Sequence, residues 1–69
     1  MDPKRVAKKL RALRGKTSLT KMAAATGLTK QALCNYEAGL RIPRDETKII
    51  IARYYGKTVQ EIFFDQEST

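Results

Sequence analysis

Histidine and tryptophan are missing from this chain of 69 residues, and cysteine occurs once, as Cys34. One cysteine closes no internal disulfide, and without histidine a zinc site runs short of ligands, so neither metal nor cofactor is expected. No apolar run approaches the roughly 20 residues of a membrane span. The charged N-terminus has no apolar stretch behind it to act as a signal peptide, which makes a cytoplasmic chain with no membrane partner the expectation. Catalysis is equally poorly supplied: there is no nucleophile beside a base and no phosphate-binding glycine loop. An enzyme is therefore not expected, and no small-molecule site is evident.

Acidic residues are scarce in one part of the chain only. Residues 1 to 44 hold eleven Lys/Arg against Asp2 and Glu37, whereas residues 45 to 69 hold three against five acids, within a net charge of +7. One end suits a polyanion. The basic part lacks the aromatics that stack on single-stranded bases, and its apolar face is too narrow for a membrane surface, so duplex DNA is the expected partner. The length allows one domain, residues 1–69, and a domain this small buries only about 60% of its unfolded surface, which favours help from a second subunit.

The most informative stretch is Gly27 to Gly39. Gly27 can adopt the positive φ that closes one helix, and the Thr29 hydroxyl can cap the next. Leu28 and Leu33 then point inward, while Lys30, Gln31 and Asn35 fall on neighbouring turns as a polar ridge. Lysine suits guanine acceptors or phosphate. Glutamine and asparagine each donate and accept, as an adenine edge in the major groove requires. A polar ridge on a short helix is also what an ordinary solvated face looks like, so the flanking sequence must decide.

Upstream, Asp2-Pro3 is a helix start, and Val6, Leu10 and Leu13 recur at helical spacing beside a basic stripe of Lys4, Lys8 and Arg11. Gly15 ends that helix. Ser18 is the expected cap of the second, with Thr20 as the alternative, and its alanines, Ala23 to Ala25, let the following helix cross closely. A fourth helix starts at Asp45 and runs through Ile49, Ile51, Ala52 and Tyr55 to Gly56. Thr58 and Glu61 have the spacing of a capping box that opens a short fifth helix through Ile62, Phe63 and Phe64, and residues 65–69 read as a polar, frayed tail.

Met22-Ala23 before the Gly27 turn, then Arg41-Ile42-Pro43, Glu46-Thr47 and Ile51-Ala52 after the ridge, make nearly the whole chain resemble the single-domain XRE-type helix-turn-helix regulators, the family of phage Cro proteins and repressors. The resemblance implies an all-α, compact five-helix bundle with the helix-turn-helix in helices 2 and 3. Lys30, Gln31 and Asn35 would face base edges, with Ala32 against a thymine methyl. Thr29, Arg41 and Arg44 would meet phosphate, as would the start of helix 2 through Ser18, Thr20, Lys21 and the backbone at Leu19, which stands where the family commonly has glutamine. Tyr36 would pack on the fold, and Glu37 would pair with an arginine of the first helix such as Arg14. Ile50 and Tyr54 stand where the family is more polar. Together with Phe63 and Phe64 they exceed what so small a core absorbs and form the expected homodimer interface. The implied function is sequence-specific duplex binding by a transcription regulator, a repressor on an inverted repeat; an antitoxin-like or adaptor module that holds a partner protein is the alternative.

Overall fold

A computed structural model describes residues 2–64, and the expected tail at 65–69 lies outside them. Four α-helices follow one another, α1 (Pro3–Arg14), α2 (Leu19–Thr26), α3 (Lys30–Glu37) and α4 (Asp45–Tyr55), and a π-helical turn, Gln60–Phe64, closes the bundle. Among the described residues there is no strand. The expected all-helical architecture of five elements is therefore the one adopted.

Local chemistry sets each boundary. The Asp2 carboxylate accepts from the Lys4 N–H at 3.0 Å, ahead of Pro3 in the first helical position. Ser18 Oγ accepts from the Lys21 N–H at 3.0 Å, which decides the start of α2 in favour of Ser18 over Thr20. Thr29 Oγ1 accepts from the Ala32 N–H at 3.0 Å. Between the last two caps lies a very short turn. Gly27 closes α2 at φ 78°, and the Thr26 hydroxyl ties the bend by donating to the Met22 carbonyl at 2.8 Å while accepting from the Leu28 N–H at 3.2 Å. The capping box forms as well, with the Thr58 N–H donating to Glu61 Oε1 at 2.8 Å and the Glu61 N–H to Thr58 Oγ1 at 3.0 Å.

Every element contributes to one core: Val6 and Leu10 from α1, Met22 from α2, Leu33 from α3, Ile51 and Ala52 from α4, and Ile62 and Phe63 from the closing turn. Leu13, Leu28, Tyr36 and Tyr54 pack around it, half-buried. The Tyr55 hydroxyl donates to Met22 Sδ at 3.1 Å and joins α4 to α2. Of the alanines of α2, Ala23 packs on the core and Ala24 and Ala25 are exposed. Two expectations need correction. Ile49, expected inside α4, is 46% exposed, because the inward stripe at helical spacing is Lys48, Ile51, Ala52 and Tyr55. Lys48 fills its core-edge seat by burying its aliphatic stem. Its ammonium lies 5.9 Å from the Phe63 ring centre, 5.0 Å from that of Phe64 and 3.5 Å from Asp45. Phe63 itself is only 4% exposed, so it serves this chain's own core and offers almost no surface to a second subunit.

Two outcomes are expected. Gly27→Ala forces a Cβ into left-handed backbone although nothing crowds the site, and should cost about 1–2 kcal/mol in urea unfolding. Burial pushes the Tyr55 hydroxyl up to about 12, above its ordinary value of 10.0. The raised value favours the neutral form in the folded state. Its contribution to stability is thus complete below pH 10 and falls away as pH rises toward 12. Alkaline absorbance titration should show one tyrosine ionising late, and Tyr55→Phe should remove that phase.

Candidate nucleic-acid interface

One face of α3 is anchored and the other is free. On the anchored side Leu33 enters the core, Tyr36 packs against it, and Glu37 is buried at 8% exposure. A carboxylate so placed needs a cationic partner, and α1 supplies one. Arg14 Nε donates to Glu37 Oε2 at 2.8 Å, while its Nη1 reaches the Thr17 carbonyl at 2.7 Å. The Arg11 guanidinium donates to the Glu37 backbone carbonyl. The pairing expected for Glu37 is thus present, and it holds the C-terminal end of α3 against α1 at both side chain and backbone. The hydrogen bond to Glu37 raises the Arg14 pKa above its ordinary value, against the lowering effect of burial.

On the free side Lys30, Gln31 and Cys34 are exposed and Ala32 and Asn35 half-buried. Gln31 Nε2 donates to Asn35 Oδ1 at 3.1 Å, so the two amides stand side by side one turn apart. Each keeps donor capacity beyond this bond, and the Gln31 carbonyl remains an acceptor. The pair has the composition needed at a base edge. A shallow depression lined by Leu19, Lys30, Gln31 and Cys34 places the first residue of α2 beside this ridge. Leu19 is half-buried and also touches the core.

Around the ridge stand groups suited to phosphate. Ser18 accepts from Lys21 N–H through its oxygen and keeps its own O–H to donate. Thr20 and the Lys21 side chain are exposed on the first turn of α2, where the helix dipole favours an anion. Thr29 is exposed at the start of α3, and Arg41 and Arg44 are exposed in and after the loop that leaves it. Arg44 stands at the N-cap of α4 and is exposed. Among the described residues no three Cys, Asp or Glu side chains gather into a metal-holding group.

Two features escaped the sequence reading. Leu40, directly before Arg41, is 74% exposed. Arg11, placed on the basic stripe by spacing, is committed to the Glu37 carbonyl rather than to solvent alone. The first could not be seen because an apolar residue in a loop carries no periodicity; the second arises only when α1 meets α3.

Residues 8–62 match the helix-turn-helix family. No curated protein and no solved structure matches the chain.

Because Glu37 is buried, removing its cation should cost more than neutralising the acid. Arg14→Ala is expected to destabilise by about 2–3 kcal/mol and Glu37→Gln by about 1 kcal/mol in urea unfolding. Equal costs would mean that the carboxylate charge is not what α1 is holding.

Proposed function

The chain belongs to the XRE-type helix-turn-helix family of DNA-binding transcription regulators, and we propose that it acts in the cytoplasm as a repressor, binding an inverted repeat in duplex DNA as a homodimer. The observation that carries this reading is the exposed Gln31–Asn35 amide pair on a helix whose opposite face is fixed to the core and to α1. A rod held in that way can enter a major groove without reorganising. Lys30, Gln31 and Asn35 would then read base edges, with Ala32 against a thymine methyl, each good bidentate contact contributing roughly 1–3 kcal/mol of discrimination. Ser18, Thr20, Lys21, Thr29, Arg41, Arg44 and the backbone at Leu19 would hold phosphates and set the register.

The homodimer reading draws its support from the apolar surface that the chain leaves uncovered: Ile50 and Phe64, with Tyr54 half-buried beside them. Ile49 joins this set and Phe63 leaves it. Two subunits related by a two-fold axis would place their α3 helices about one turn of DNA apart. The same apolar residues, with Leu40, favour a second reading, an antitoxin-like or adaptor module that holds a partner protein. Salt separates the two readings. Duplex binding weakens steeply as salt rises, whereas apolar pairing hardly responds.

Selection from a random duplex pool tests the proposal, with a palindromic consensus as the expected result. Against that consensus Gln31→Ala should lose discrimination at one or two base pairs. Arg41→Ala should weaken selected and random duplexes alike and flatten the salt dependence. Equal losses on both kinds of DNA in both variants would overturn this division of roles.

A further inference from the structure

The α1 helix carries six Lys/Arg and no acid, and its packing does not use all of them. Arg11 and Arg14 are committed to Glu37, and Lys9 Nζ donates to the Glu61 carbonyl at 2.7 Å on the side facing the closing turn. Lys4 and Lys8 are different. Both are exposed, and no ion pair within the described residues engages either side chain. They lie four residues apart, where like charges repel and weaken a helix, so the bundle bears them at a cost.

Their place in the fold gives that cost a use. Lys4, Lys8 and Arg11 share one flank of α1, and Arg11 marks that flank as the one facing the end of α3. At its N-terminal end the flank meets the loop leaving α3. A Cβ built on Gly39 would lie 3.5 Å from Lys4 Cα and from Lys4 Cγ, and 3.6 Å from the Pro3 carbonyl, so that loop rests directly on the first turn of α1. Gly39 stands two residues before Arg41. The loop that carries Arg41 thus touches α1 beside Lys4.

We propose that Lys4 and Lys8 form a second track for the phosphodiester backbone, gripping the same duplex beyond the stretch held by the loop after α3. The proposal rests on the DNA-binding reading above and adds α1 to it. The track would contribute affinity and register and would carry no sequence information, since ammonium groups meet phosphate as point charges.

The test is the salt dependence of binding to a random-sequence duplex several helical turns long, followed by fluorescence anisotropy for the full chain. Each phosphate contact contributes about 0.9 to the slope of log K against log salt, so Lys4→Gln with Lys8→Gln should make the slope shallower by about 1.8 for each subunit bound. Lys4→Arg with Lys8→Arg should keep the original slope, and a charge-matched pair at the end of α4, Arg53→Gln with Lys57→Gln, should leave it unchanged. A Lys4/Lys8 glutamine variant that is folded by circular dichroism yet keeps the original slope overturns the proposal and leaves the DNA-binding reading standing. Equal flattening by the Arg53/Lys57 variant also overturns it, because net charge alone would then be responsible. Absence of salt-dependent duplex binding by the unaltered protein would instead remove the DNA-binding reading, and this extension with it.

Discussion

A carboxylate placed at the edge of an apolar core governs the rest of this molecule. Glu37 ends the ridge-bearing helix, and at 8% exposure its carboxylate is costly to enclose without a cation at close range. Arg14 meets it from α1, and Arg11 takes the backbone carbonyl of the same residue. Such a pair adds little net stability over an apolar substitute, because desolvation offsets much of the attraction. What it adds is direction. Leu33 alone would hold α3 on the core without fixing its roll or its end, whereas the two arginines leave one orientation in which all three groups are satisfied.

That orientation decides which polar groups of α3 face outward. With Leu33, Tyr36 and Glu37 inside, Gln31 and Asn35 are left outside and bonded to one another. The short turn at Gly27, tied by Thr26, sets α2 against α3 so closely that Leu19 borders the ridge. The cations then sort themselves by use. Arg11 and Arg14 are spent within the fold, while Lys21, Lys30, Arg41 and Arg44 remain exposed around the ridge.

Much of the fold was legible before the structure. Asp2-Pro3, Ser18, Gly27, Thr29 and the Thr58–Glu61 box mark boundaries through bonds spanning two to four residues, and interactions of that range are written in the order of the chain. The inward side of α4 was less legible. Ile49 satisfies hydropathy but lies off the stripe that Ile51, Ala52 and Tyr55 define, and the seat one turn earlier went to Lys48, whose stem is apolar although its end is charged. Phe63 and Phe64 are adjacent and chemically alike, yet one is enclosed and the other 43% exposed. Only the approach of the closing turn to α1 and α4 separates them.

Composition and local spacing by themselves determined the helical class, the caps, the ridge of Lys30, Gln31 and Asn35, and the concentration of positive charge in residues 1 to 44, because each depends on neighbours a few positions away. Tertiary structure alone decided which cations are spent inside the protein and which remain outside it, that Gly39 rests on Lys4, and that Phe63 belongs to the core. Those outcomes join residues tens of positions apart, and a chain's order carries no distance between such residues until packing brings them together.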